Sequence, residues 1–187
     1  IWGEQALPTL GLPEDPGAVK NFSDGIIAVD PRLSAAGARG LLPCNLNTKT
    51  PGRLVKPTDY DMHRLKLGLP DGSRDMIKAK AILLESGLDE LHGIDWNKGC
   101  YMGQELTART KYRGLIKKRL VPITIKGAMP AAGTSITLDG KEVGEVRSGR
   151  DGQALALMRI EHLDNLEAGF LAGGATIFPR KPDWAQF

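Results

Sequence analysis

An Asp-Gly pair set between two short runs of strand formers, Ile136-Thr137-Leu138-Asp139-Gly140-Lys141-Glu142-Val143, constrains the fold most strongly. Asp-Gly readily adopts the positive φ that a two-residue hairpin turn demands. Similar strand-like runs flank it: Leu120 to Ile125, Ala154 to Ile160 and Ala175 to Phe178. Turn residues separate these runs, which is the pattern of a small antiparallel barrel or sandwich. Upstream of Gly114 the pattern is different, so a domain boundary is predicted near Gly114 to Lys118, dividing the chain into residues 1–115 and 116–187.

The upstream part reads as mixed α and β. The first 22 residues carry Pro8, Pro13 and Pro16 with little periodicity and are expected to be irregular. Gly25-Ile26-Ile27-Ala28-Val29 is short, apolar and β-branched, a buried strand ended by Asp30-Pro31-Arg32. Residues 43–57 are polar and turn-rich, an exposed loop. Thr58-Asp59 resembles a helix cap, with Met62, Leu65 and Leu69 on one face and Gly68 and Pro70 as stops. Lys78 to Leu84 suits a strand or a short helix. A further helix is expected from near Gln104 to Lys111.

With 187 residues, 41% hydrophobic and 25% charged, the chain can bury a core without staples, and dominant disorder is excluded. No apolar run approaches the ~18 residues of a membrane-spanning helix. Twenty-five basic and 22 acidic side chains leave a net charge of +3, which permits an anionic ligand without demanding nucleic acid. Lys111, Arg113, Lys117, Lys118 and Arg119 do form a basic cluster around Tyr112, but a solvated helix end explains it, and direct nucleic-acid binding is not expected. Two cysteines, Cys44 and Cys100, make no disulfide framework and favour a reducing compartment. No Cys-x-x-Cys or paired-histidine spacing points to a metal. The chain starts at Ile1 without a basic-then-apolar leader, so a fragment or a processed form is expected.

The densest chemistry is Lys98-Gly99-Cys100-Tyr101-Met102-Gly103-Gln104-Glu105. Glycines permit positive φ and close backbone approach. A cysteine just before a helix N-terminus, with Lys98 nearby, is placed to ionise, and the thiolate is the nucleophilic and metal-ligating form. The competing reading is a small core cysteine, with Glu105 merely complementing the helix dipole and Tyr101 merely packing.

Lys98-Gly99-Cys100-Tyr101-x-Gly103-Gln104-Glu105, followed by Ala108-Arg109, Tyr112-Arg113-Gly114 and Lys118-Arg119-Leu120, resembles the YgfZ family of folate-binding, iron–sulfur-related proteins. Ordered companions extend the resemblance from about Asp24 to Pro179: Asp30-Pro31-Arg32 with Gly37 and Arg39, Arg64 with Gly68 and Pro70, and Leu84-Glu85. Gly144-Glu145-Val146 with Ser148-Gly149 looks like the barrel shared with the glycine-cleavage T-protein.

This resemblance implies an α+β fold: the remnant of a T-protein-like folate-binding domain, residues 1–115, followed by a small antiparallel β-barrel, residues 116–187. Much of the folate-binding domain would lie in an N-terminal portion outside this chain. The resemblance also implies tetrahydrofolate or a derivative as cofactor, and a role in assembling or repairing iron–sulfur proteins with a link to tRNA methylthiolation. Implied partners are iron–sulfur clients or assembly factors, in the bacterial cytoplasm or the mitochondrial matrix of a eukaryote. Cys100 would be the reactive thiolate, sharing any cluster with a partner because clusters usually take four ligands. Glu85 would accept two hydrogen bonds from the amino-pyrimidine edge of a pterin, and Tyr101 would stack on a flat ring. Lys98, Arg109 or Arg64 would meet the folate glutamate tail, and Gln104 and Glu105 would complete the site. The alternative is a folate-dependent aminomethyltransferase like the T-protein, which carries another residue in place of Cys100.

Overall fold

The computed structural model describes residues 1–44, 51–114, 116–164 and 169–187. Packing divides the chain into two compact units: Ile1–His63 with Leu91–Gly93, and Arg64–Glu90 with Ile94–Phe187. Of the expected loop at 43–57, residues 45–50 lie outside the described residues.

In the first unit, helix α1 (Ala6–Leu10) precedes a three-stranded antiparallel sheet of β1 (Val19–Phe22), β2 (Gly25–Val29) and β3 (Ala38–Leu41), in that order. The expected irregular start is therefore partly ordered. Pro8 falls in the first turn of α1, where a backbone N–H has no helical partner to lose. Leu7, Leu10 and Leu12 then bury against Ile27, Val29 and Ala38. Strand β2 forms as expected, and Asp30 just beyond it is 1% exposed. Arg32 and Arg39 clamp its carboxylate, with Arg39 Nε 2.8 Å from Oδ2.

Helix α2 (Pro57–Leu67) carries the chain into the second unit. The cap falls two residues before the expected Thr58, at Lys56. Pro57 opens the helix, and the Asp59 carboxylate accepts the Lys56 backbone N–H at 2.9 Å, the reach-back half of a capping box. Lys78 to Leu84 forms neither a strand nor an α-helix. Ala79 has φ +62, which breaks both patterns, and only the end of the run enters a 3-10 turn, Leu83–Ser86. Helix α3 spans Gln104–Tyr112, as expected.

Six strands close the barrel: β4 (Lys118–Lys126), β5 (Ser135–Leu138), β6 (Lys141–Arg150), β7 (Gln153–Arg159), β8 (Phe170–Ala172) and β9 (Ala175–Pro179). Their spatial order is β4-β7-β6-β5-β8-β9, with every recorded pairing antiparallel. The Asp139-Gly140 hairpin joins β5 to β6, with φ +50 and +76 at its two turn residues. Alternate residues point inward: Val121, Ile123 and Ile125 from β4 meet Ile136, Val146, Ala156, Met158, Phe170 and Ile177 in one apolar core. Closure removes the free strand edges that would otherwise pair with other chains.

Strand β6 carries one irregularity. Its register with β7 runs Val146↔Ala156 and then resumes at Gly149↔Ala154, so Arg147 and Ser148 together oppose Leu155. Such a bulge re-aims side chains and frees a backbone N–H from the ladder.

Candidate functional site

The 3-10 turn Leu83–Ser86 holds Glu85. Leu84 is fully buried and anchors the turn, and its carbonyl accepts Arg119 Nη1 at 2.7 Å. Gly87 closes the turn at φ +69, and a Cβ there would come within 2.7 Å of the Trp184 ring. Glycine is thus required both by the backbone and by the ring above it. Trp184 is itself tied down, its Nε1–H donating to Leu67 O at 2.8 Å.

Glu85 faces a narrow cleft of about 50 Å³ whose apolar walls are Ile77, Ile82, Leu120 and Leu157 and whose polar groups are Asp75, Lys80, Ser86 and Arg147. Its carboxylate is half-buried and has no hydrogen-bond partner among the described residues. Burial pushes the Glu85 pKa up from 4.5, and the positive charges of Lys118, Arg147 and Arg119 counter that rise. A wider groove of about 630 Å³ shares Ile77 and Ala81 with this cleft and carries Lys78 and an Arg74 paired with Asp71 on its walls.

One buried ion pair supports the cleft. Asp75 accepts Arg64 Nη1 at 2.6 Å, the Asp71 N–H at 2.8 Å and the Ser148 N–H at 2.9 Å. The third bond is where the bulge sends its freed N–H. Arg64 also donates to Ser148 Oγ at 2.6 Å and to Leu69 O at 3.3 Å. Arg64 is 4% exposed and committed to these partners, so it is not presented to a ligand tail as expected. It instead fixes the strand that bears Arg147.

The cysteine loop is a separate feature of the same unit. Cys100 is exposed, which removes the reading of a buried core cysteine. Lys98 Nζ sits 4.7 Å from the centre of the Tyr101 ring, and the Tyr101 N–H donates to Gln104 Oε1 at 3.2 Å. Gly103, at φ +83, turns the chain into α3. Glu105 and Arg109 pair with each other on the exposed face of α3. Met102 is wholly exposed and Leu106 is 65% exposed. Helix α3 packs against the turn that holds Glu85. None of Lys98, Cys100, Tyr101, Gln104, Glu105 or Arg109 lines the Glu85 cleft.

Two residues of the cleft escape a reading of the sequence. Asp75 lies in an unremarkable turn. Arg147 stands between the recognisable Gly144-Glu145-Val146 and Ser148-Gly149, and its exposure to the cleft depends on the bulge. Among the described residues no three His, Cys, Asp or Glu side chains gather to hold a metal. No helix among them is long and apolar enough to cross a membrane.

Residues 117–187 match the model of the CAF17 C-terminal beta-barrel domain. The chain is similar to the mitochondrial iron-sulfur cluster assembly factor IBA57 of Mus musculus, 37% identical over 98% of this chain and 54% of that protein. It is 36% identical to its Homo sapiens counterpart, over 96% of this chain and 51% of that protein. The IBA57 homologue of Neurospora crassa is 40% identical over 68% of this chain and 29% of that protein. The chain spans about half the length of the two mammalian relatives. The similarity found is therefore to IBA57 proteins over nearly the whole chain and to the CAF17 barrel domain over residues 117–187, and the YgfZ resemblance is supported only to that extent.

Proposed function

We propose that the protein is a tetrahydrofolate-binding accessory factor for assembly or repair of iron–sulfur proteins, acting in the mitochondrial matrix. The observation that carries the folate half is Glu85: a half-buried carboxylate without a hydrogen-bond partner among the described residues, in a cleft with apolar walls. Two carboxylate oxygens suit the paired N–H donors of an amino-pyrimidine edge. Leu120, Leu157, Ile77 and Ile82 suit the faces of a flat ring. The wider groove, with Lys78 on its wall, suits an anionic tail. When bound, the folate supplies one-carbon carriage. In this reading the residues upstream of the barrel are the remnant of a T-protein-like folate domain.

The iron–sulfur half is supported by the names of the similar proteins and by the exposure of Cys100. As a thiolate, Cys100 contributes one ligand or one nucleophile to a site completed by a client protein or assembly factor. Lys98, Tyr101 and Gln104 hold the loop that presents it.

Titration of the full-length protein with 5-formyl-tetrahydrofolate tests the first half. Binding that is lost in Glu85→Ala supports it, and absence of binding by the parent protein refutes it. For the second half, Cys100→Ser is expressed in a deletion strain. Failure to restore iron–sulfur enzyme activity supports the thiolate role, and full restoration removes it. Turnover of an aminomethyl donor would replace the accessory role with that of a transferase.

A further inference from the structure

Arg147 is an unusual cleft residue. One of its terminal nitrogens donates to Glu145. Its Nε–H is buried and has no acceptor, and no acceptor among the described residues meets its second terminal nitrogen. The side chain is 11% exposed, so most of its N–H groups are withdrawn from solvent. A guanidinium held in this way is short of acceptors. Its position is also fixed. The bulge puts Arg147 and Ser148 opposite one residue of β7, and Asp75 and Arg64 pin the adjacent Ser148 through its N–H and Oγ.

The cleft thus offers an acceptor-only carboxylate, Glu85, and an acceptor-seeking guanidinium, Arg147, on one set of apolar walls. A ligand edge that satisfies both carries two adjacent N–H donors followed by a carbonyl oxygen. A 2-amino-4-oxo-pyrimidine edge has this order: exocyclic N–H, ring N–H, carbonyl. We infer that Arg147 is a specificity-determining residue that reads the 4-oxo group of the bound heterocycle, so that the site prefers 4-oxo over 4-amino pteridines. This inference rests on the folate reading of the Glu85 cleft. Its planar fork suits a carbonyl in the plane of the ring, which a lysine point charge reproduces less well.

Folic acid and aminopterin differ at this position, oxo in one and amino in the other. The test measures the ratio of their dissociation constants in the full-length protein, in Arg147→Met and in Arg147→Lys. Loss of one charge-assisted hydrogen bond is expected to shrink the preference for folic acid about 10- to 100-fold in Arg147→Met, with Arg147→Lys intermediate. A partly unfolded variant weakens both ligands by the same factor and leaves the ratio unchanged, so misfolding cannot imitate the result. A ratio that is the same in parent and variants, with folic acid still bound, overturns the role of Arg147 and leaves the folate reading standing. Failure of the parent protein to bind folic acid or 5-formyl-tetrahydrofolate overturns the folate reading and this inference together.

Discussion

Replacing Asp75 by alanine removes three hydrogen-bond acceptances at once from a side chain that is fully buried. The Arg64 guanidinium, 5% exposed, loses its acceptor at 2.6 Å, and the Ser148 N–H released by the bulge loses its acceptor at 2.9 Å. Breaking a buried ion pair from one side costs about 3–5 kcal/mol, because the remaining charge keeps its desolvation penalty. Arg64 keeps Ser148 Oγ and Leu69 O, which places Asp75→Ala near the lower end, about 3 kcal/mol. Urea unfolding followed by tryptophan fluorescence reports it, since Trp184 packs in the same unit. Arg64→Met alone should cost a similar amount. The double variant should cost about 1.5–3 kcal/mol less than the sum of the two singles, because neither partner is then stranded. A loss below about 1 kcal/mol for Asp75→Ala, or strict additivity in the double variant, would refute the view that this pair holds the strand beneath the cleft.

Three further outcomes follow from the same geometry. Burial raises the Glu85 pKa above 4.5, so ionising it costs the folded state stability as pH rises through the shifted value. Glu85→Gln is therefore expected to be more stable than the parent at neutral pH and no more stable at pH 4, while the parent's folate affinity falls as pH drops below the Glu85 pKa; melting curves and titrations across pH check both. Burial alone would raise the Asp30 pKa, but the hydrogen bonds of Arg32 and Arg39 outweigh it and hold the carboxyl at about 2. The first unit should thus lose roughly 2 kcal/mol as pH falls from 4 to 2, a loss that Asp30→Asn should no longer show in acid titration by circular dichroism. Gly87→Ala should destabilise the second unit by about 2 kcal/mol, because it adds a side chain at φ +69 and 2.7 Å from Trp184, and denaturant midpoints measure the loss.

Strands β4, β5, β6, β7 and β9 were legible as runs of strand formers between turn residues, with the Asp139-Gly140 turn setting a local register, whereas the three residues of β8 were too short a run to announce a strand. Strand β2 and helices α2 and α3 were legible for similar local reasons. Helix α1 was not, since three prolines in the first 16 residues mask the one turn that buries Leu7 and Leu10. Glu85 was singled out in the sequence only through its resemblance to a folate-contacting segment. Its surroundings were not, because Asp75, Ser148 and Arg147 meet across 72 and 73 residues of chain and only through a bulge that no local pattern announces. Arg64 illustrates the same limit. A lone arginine in a helix looks available to an anion until its buried partners are known.

The central claim is that a pterin edge meets Glu85. A crystal structure of the full-length protein with 5-formyl-tetrahydrofolate tests it most directly. The predicted result is an amino-pyrimidine edge at hydrogen-bonding distance, ~2.7–3.2 Å, from both Glu85 oxygens, with its ring between Leu120, Leu157 and Ile77. A pterin stacked on Tyr101 or seated elsewhere, with the Glu85 oxygens facing water, would contradict it.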